Sequence, residues 1–253
     1  AGVNSKYSDY GSFVYNNKLY FASARDTGNF SQRKHKWTGE YFTNLYSADL
    51  AEDGSLGEVQ KFGNKLNSKY HEATPVFSKD GKTVYFTRNN YLDKRGYDAG
   101  KVTLLKIYKA TVDAKGKWTD VTPLPFNGDD YQTAHPALSP DGKTMYFTRN
   151  NYINGKKRTD SEKNILLKLY KASLEEGQWK NIIELPFNND EYSVAHPALS
   201  PDEKILYFAS NMPGTFGDSD LFSVSIELDG SYGKPINLGN VINTEGRESF
   251  PFI

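Results

Sequence analysis

Four stretches of this chain are variants of one phrase, and a repeat of that length admits few folds. They read HEATPVFSKDGKTVYFTR (71–88), TAHPALSPDGKTMYFTR (133–149), VAHPALSPDEKILYFAS (194–210) and, degenerate at its start, SDYGSFVYNNKLYFAS (8–23). The anchors Gly11, Pro75, Pro136, Pro197 and Pro251 follow one another at intervals of 64, 61, 61 and 54 residues. A period of that size means one supersecondary unit used repeatedly, each copy burying its apolar surface against the next. Function then has to be sought in what differs between copies, which is the loops.

Each copy divides into four strand-like segments. In the third they are 135–139, 144–149, 166–174 and 179–187. The first turn is Pro140-Asp141-Gly142-Lys143, in which Pro presets φ, Asp bonds its local backbone and Gly accepts positive φ. The second and third segments are joined by a polar loop, and the third and fourth by a turn over 175–178. Second strands fall at 19–23, 84–88, 145–149 and 206–210, and third strands at 44–50, 104–112, 166–174 and 220–226. Alternation within Met145–Arg149 puts Met145 and Phe147 on one face and Tyr146 and Thr148 on the other. An aromatic content of 14%, with 18 Tyr and 15 Phe, suits strands buried on both faces. Four antiparallel strands per repeat near 60 residues, with no helical period, describe an all-β β-propeller. Its blades are expected at roughly 8–66, 72–127, 133–188 and 194–243, within one domain spanning 1–253.

The ends continue the pattern. GVNSKYSDYG (2–11) matches KLNSKYHEATP (65–75), and RESFPFI (247–253) reads as the first strand of a fifth blade. The expectation is a segment of a longer, multidomain chain whose propeller has at least five blades; a four-bladed ring with a surplus tail is the alternative. Ala1 is not expected to be a native start, because no basic-then-apolar signal segment opens the sequence.

Lys+Arg and Asp+Glu both number 31, so no net field draws the chain to nucleic acid or an anionic membrane surface, and neither is expected as a partner. The chain has no cysteine, which removes disulfides, thiolate metal sites and a Cys nucleophile together. No run approaches the roughly 18 apolar residues of a membrane span, so direct membrane insertion by this segment is not expected.

The S-P-D-G-K-x-x-Y-F-x-S/T signature resembles the TolB-type, WD-like "PD" propeller repeat. More narrowly, 195–226, with Asn4–Gly11 and 242–252, resembles the propeller module of OmpA-family envelope proteins of Bacteroidota. The resemblance covers essentially the whole chain. It implies a periplasmic, outer-membrane-associated protein, in some members part of type IX secretion or gliding machinery. The peptidoglycan-binding domain of that family is not in this sequence. Glu203 departs from the motif where Gly is usual, which is expected to loosen one turn.

The search for chemistry leaves few candidates. The histidines are His35, His71, His135 and His196. His135 and His196 precede equivalent prolines, and with Pro75, Pro136 and Pro197 they are read as structural residues at the start of each blade. Their imidazoles are expected to bond backbone between blades, with metal ligation or pH sensing as the alternative. The acid pairs Asp129-Asp130 and Asp190-Glu191 repeat in register and are expected to pair with Arg88 and Arg149. A glycan- or peptide-active enzyme using axial carboxylates among Asp130, Glu191 and Glu248 is the rival reading. Asp218 and Asp220 are spaced like part of a calcium loop but lack its Gly and bidentate Glu, so a turn delivering Asp220 to the third strand is preferred. No GxSxG, HExxH or phosphate-cradling loop is present. No catalytic residue, metal or cofactor is assigned.

Loops between second and third strands break the symmetry, at roughly 24–43, 89–103, 150–164 and 211–219. They share one face with the blade-to-blade connections. That face collects Arg33, Lys34, His35, Lys36, Trp37, Tyr41, Arg95, Tyr97, Lys156, Lys157 and Arg158, and exposed Arg, Trp and Tyr on a rigid scaffold are where binding usually lives. Solvated or locally neutralised basic loops are the alternative. The expected function is non-catalytic docking of an envelope or outer-membrane protein, or of a glycan, on this face.

Overall fold

The computed structural model describes residues 2–25, 41–63, 66–68, 70–89, 103–153 and 156–253. Every regular element in them is a strand. Blade 1 consists of β1 (Asp9–Tyr15), β2 (Lys18–Ser23), β3 (Asn44–Asp49) and β4 (Gln60–Lys61). Blade 2 has β5 (Glu72–Phe77), β6 (Thr83–Asn89), β7 (Leu105–Val112) and β8 (Trp118–Pro123). In blade 3, β9 (Thr133–Leu138) and β10 (Thr144–Asn150) precede a separate two-stranded ribbon, β11 (Tyr152–Ile153) and β12 (Lys156–Lys157). The blade then resumes with β13 (Leu167–Glu175) and β14 (Gln178–Glu184). Blade 4 comprises β15 (Val194–Leu199), β16 (Ile205–Ser210), β17 (Asp220–Ser225) and β18 (Ile236–Asn237). Each blade is an antiparallel meander, first strand innermost, as the repeat predicts. The ribbon is an addition that the sequence reading left as loop.

Alternation sends each blade's side chains to two neighbours. Tyr20, Leu45 and Leu66 of blade 1 meet Phe77, Val84, Phe86 and Tyr108 of blade 2. Val76, Tyr85, Ile107 and Phe126 of blade 2 meet Met145, Phe147 and Tyr170 of blade 3. Tyr146, Leu169, Leu185 and Phe187 of blade 3 then meet Leu206, Phe208, Phe222 and Val224 of blade 4. Met145 and Phe147 therefore face backward and Tyr146 forward, as read from the strand. These aromatic layers, at sheet-on-sheet spacing, hold the blades together. Removing a fully buried ring such as Phe147 is worth about 3–5 kcal/mol.

The inner strands carry a common irregularity. Pairing slips between Tyr10 and Phe13, Ala73 and Val76, Ala134 and Ala137, and Ala195 and Ala198. At each slip one residue takes the left-handed conformation: Gly11 (φ 64), Thr74 (φ 48), His135 (φ 55) and His196 (φ 54), with Phe250 (φ 54) as a fifth instance. This corrects the sequence alignment. Gly11 occupies the place of Thr74 and the histidines, and Ser12 that of the prolines. Glycine is required there, because a Cβ on Gly11 would lie 2.8 Å from Thr74 Cγ2.

In blades 2 to 4 the turn after the inner strand is set by a Ser-x-Asp pair. Ser78, Ser139 and Ser200 donate Oγ–H to Asp80, Asp141 and Asp202, at 2.7, 2.6 and 2.7 Å. Those carboxylates accept the N–H of Lys82, Lys143 and Lys204. The serine hydrogen bond leads in holding all three acids below the usual carboxylate range. Glu203 keeps the turn that Gly81 and Gly142 make, at φ 61, its N–H donating to Ser200 O at 2.9 Å. The turn is strained rather than loosened.

Candidate functional site

The four inner strands and segment 247–253 line one axial cavity of about 100 Å³. Its wall is Pro75, Pro136, Pro197 and Pro251 with Phe13, Val76, Leu138, Leu199, Phe250 and Phe252, and two imidazoles. The rings of His135 and His196 lie 4.4 Å apart edge to face, and Phe250 stacks on His196 at 4.0 Å. Phe250 also touches His135 at 5.2 Å and Tyr10 of blade 1 at 4.9 Å. Both Nδ1 atoms are buried without a hydrogen-bond partner. Burial, with His196 alongside, drives His135 well below the ordinary histidine range. Burial, with Arg247 nearby, lowers His196 to about 4. Both imidazoles are therefore neutral at pH 7.

The expectation that these imidazoles bond backbone between blades is overturned. The inter-blade bond is made instead by their own amides: His135 N–H donates to Thr87 Oγ1 at 2.9 Å and His196 N–H to Thr148 Oγ1 at 3.1 Å. The left-handed turn rotates each amide toward the preceding blade while the side chain points to the axis. His71 behaves differently, its Nδ1 accepting Thr43 N–H at 3.1 Å. Among the described residues no group of three or more His, Cys, Asp or Glu side chains could hold a metal ion.

Acids at the start of each blade do not reach the axis. Ser5 donates its N–H and Oγ–H to Asp9, Ser68 to Glu72, and Thr244 to Glu248. Arg25 bonds Asp9 and the carbonyl of Val3, while Arg88 bonds Glu72 at 3.0 Å and the carbonyl of Leu66. Burial, the largest influence on Glu72, raises its carboxyl to about 7 against the pull of Arg88 and Ser68. For Asp9 burial is outweighed by Ser23, Ser5 and Arg25, and the carboxyl lies below its usual value.

In blades 3 and 4 the pairing foreseen for Asp129 and Asp190 is corrected. Asp129 takes Lys106 Nζ at 2.6 Å, and Asp190 takes Lys168 Nζ at 2.6 Å and Arg158 at 3.2 Å. The lysines come from third strands, whose ends reach the connecting loop. Arg88 stays with Glu72. Arg149 instead donates to Phe126 O at 3.0 Å and lies over the rings of Tyr131 and Tyr170, at 4.5 and 4.8 Å. Glu191 accepts Ser161 Oγ–H at 3.0 Å. Among the described residues no carboxylate lines the axial cavity, so the axial placement of Asp130, Glu191 and Glu248 does not hold.

These contacts make the blade-3 loop one body with the lead-in to blade 4. Asn151 Nδ2 donates to Asp190 at 2.9 Å, Arg158 pairs with the same carboxylate, and Ser161 reaches Glu191. The Lys168 hydrogen bond, then that of Asn151, holds Asp190 below its usual range. Between these fixed points runs the ribbon, Tyr152 opposite Lys157 and Ile153 opposite Lys156. Lys156 and Arg158 are exposed. Tyr131 lies 5.4 Å from Tyr152.

Of the other residues proposed for this face, Tyr41 is half-buried and meets Tyr7 edge-on at 6.1 Å. Lys157 is in β12. Arg33, Lys34, His35, Lys36, Trp37, Arg95 and Tyr97 lie outside the described residues. Asp220 begins β17 as expected, its carboxylate accepting Phe216 N–H and Asn237 Nδ2–H at 2.9 and 2.7 Å.

One set of residues escaped the sequence reading. Asn67, Asn127, Asn188 and Asn243 each accept the N–H of a third-strand residue, Leu45, Ile107, Leu169 and Leu221, at 2.7–3.0 Å. Each also donates to that residue's carbonyl. The signal was present, since one Asn recurs just before the lead-in of every following blade.

No family model matches the chain, and no curated protein does. Among solved structures, TolB from Acinetobacter baumannii shares 20% identity over 76% of this chain and 37% of that one, with a TM-score of 0.43. A puromycin-hydrolyzing peptidase of Mycobacterium tuberculosis shares 14% identity over 92% of this chain and 39% of its own, with a TM-score of 0.49. A thermostable family-43 glycoside hydrolase shares 13% identity over 96% and 77%, at 0.48. The chain thus spans less than two fifths of the length of the first two of these proteins.

Proposed function

We propose that this chain is a non-catalytic interaction scaffold whose loop face docks an envelope or outer-membrane protein. In this reading it works in the periplasm of a Bacteroidota-like cell, as part of an OmpA-family protein of the type IX secretion or gliding machinery. Support for that setting comes from the repeat signature in the sequence. Support for docking comes from one observation: the ribbon is pinned through Asn151, Arg158 and Ser161 onto Asp190 and Glu191. A loop fixed in this way loses little conformational entropy on binding, and it presents Lys156 and Arg158 outward.

A basic, preformed edge selects a partner with an acidic patch and speeds encounter, an effect that salt screens over about 8–10 Å. The test immobilises the chain, passes an outer-membrane extract over it, and repeats the run with Lys156→Glu, which leaves the Arg158–Asp190 pin in place. A defined protein retained by the wild type, released by salt and lost by the variant at an unchanged melting point supports the proposal. Equal retention by both chains rejects this face.

A further inference from the structure

The corner where blade 4 packs on blade 3 departs from the repeat in two ways. Between blades 2 and 3 the corner is filled by Trp179, which pairs with Leu174 across its turn, is exposed by 6% and lies 5.8 Å from the ring of Tyr85. Between blades 3 and 4 its place is taken by Tyr232, paired with Ile226 across a turn one residue longer. The Tyr232 hydroxyl reaches that of Tyr146 at 3.2 Å, but a phenol fills less space than an indole, and a cleft of about 230 Å³ remains along Tyr146. The second departure is Glu203, which lines this cleft in the left-handed turn where blades 2 and 3 have Gly81 and Gly142. A strained side chain kept at a cavity is an outlier from which function can be inferred.

The walls of the cleft carry opposite charges that do not meet. Lys171 lines it half-buried, its ammonium 5.0 Å from the centre of the Tyr232 ring. Burial lowers Lys171, and among the described residues no carboxylate compensates it. Glu203 is exposed at the rim and, among the described residues, pairs with no cation. Burial raises the Tyr146 phenol, Tyr232 opposes that, and Glu203 adds to it, which puts the carboxylate beside the same wall. Thr144 and Ser173 stand opposite each other in the β10–β13 ladder, and their hydroxyls have no hydrogen-bond partner among the described residues. Leu199 and Ile226 supply an apolar wall. An anion alone would meet Glu203 and a cation alone would meet Lys171, so only a ligand with both charges matches the two groups.

We propose that the cleft between blades 3 and 4 binds a small zwitterion of the α-amino-acid class with an aliphatic side chain. Its carboxylate is taken by Lys171 with the hydroxyls of Thr144 and Ser173, its ammonium by Glu203, and its side chain by Leu199 and Ile226. At the roughly 30 Å³ that one water takes in the liquid, the cleft holds about eight such groups, the heavy-atom count of valine. The site lies at the short-turn end of the blades, away from the ribbon, and so does not depend on the docking face.

Calorimetric titration of the whole chain at neutral pH with L-valine, N-acetyl-L-valine and L-valinamide tests this. Valine should bind saturably with a Kd below about 1 mM. Each capped analogue should bind at least about tenfold more weakly, because it leaves one charged group of the site unmatched. Glu203→Gly should weaken valine by a similar factor while leaving the acetyl analogue, which offers Glu203 no ammonium, unweakened. Lys171→Met should weaken valine in the same way and leave valinamide unweakened. Melting points confirm that the variants fold, and Glu203→Gly, which relieves the strained turn, keeps the test decisive if Lys171→Met does not. Valine binding weaker than about 1 mM overturns the inference, as do capped analogues that match valine or folded variants that bind it as the wild type does.

Discussion

The imidazole of His196 and the ring of Phe250 stack 4.0 Å apart at 26°, although 54 residues separate them in sequence. The contact joins the inner strand of blade 4 to segment 247–253, and His135 closes against both rings. Stacking of this kind is worth about 0.5–1.5 kcal/mol beyond area burial. It also requires the imidazoles to stay neutral, because a protonated ring here would be desolvated beside a second one.

Acid should therefore weaken the fold through this pair. His196 is lowered to about 4 and His135 well below its usual 6.5. Their contribution is complete above pH 6.5 and is lost as pH falls toward 4, where the unfolded chain binds the extra protons. Glu72 runs the other way in the same window: raised to about 7, its contribution is complete below 4.5 and lost as pH rises through 7. Urea unfolding of wild type and His135→Asn/His196→Asn across pH 4–7 separates the two, since Asn tolerates the left-handed backbone. Wild type should lose stability relative to the variant as pH falls. Parallel curves would contradict the argument.

Two ion pairs should differ sharply in worth. Arg88 and Glu72 are almost fully enclosed, whereas Lys18 and Asp49 are exposed by 44 and 74%. At pH 8, above the raised value of Glu72, Glu72→Gln leaves a buried guanidinium without its counter-charge and should cost about 3–5 kcal/mol. Lys18→Ala should cost less than about 1 kcal/mol. Thermal melts of both variants decide it, and comparable losses would mean the enclosed pair is not coupled as its geometry implies.

At Glu203 the chain carries a side chain where two other blades have glycine, in the same left-handed turn. A non-glycine residue there costs of order 1–3 kcal/mol, partly offset by glycine's greater unfolded entropy. Glu203→Gly should thus stabilise by about 0.5–1 kcal/mol, raising the melting point by roughly 2–4 °C for each kcal/mol gained in a domain this size. A lowered melting point would show that the turn is not strained.

The blades were legible because Ser-x-Asp turns and Tyr-Phe alternation are local signals, repeated often enough to fix order and pairing. The error at Gly11 came from treating a glycine as a substitute for proline, when it stands for the left-handed residue before it. The ribbon had a readable mark, Asn154-Gly155 between Tyr152-Ile153 and Lys156-Lys157, which is hairpin chemistry. What the sequence could not carry was the direction of His135 and His196. A one-residue bulge swings the amide to the neighbouring blade and the ring to the axis, and nothing in the residue types distinguishes that from the reverse. The partners of Asp129 and Asp190 were hidden likewise, because Lys106 and Lys168 reach them only once the third strands are in place.

The asparagines offer the sharpest test of the repeat as a mechanical unit. Asn188 accepts Leu169 N–H at 2.9 Å and donates to Leu169 O at 2.7 Å, supplying with one amide the pairing a fourth strand would give just beyond β14. Asn188→Asp preserves the acceptor but sets a carboxylate oxygen against the Leu169 carbonyl, so it should be no better tolerated than Asn188→Ala. Each should cost about 1–3 kcal/mol, the range for stranding a partly buried backbone group. Urea midpoints at unchanged slope measure that loss directly. If Asn188→Asp matched wild type, the donor half of the bridge would be idle, and the recurrence of asparagine in all four blades would need another physical cause.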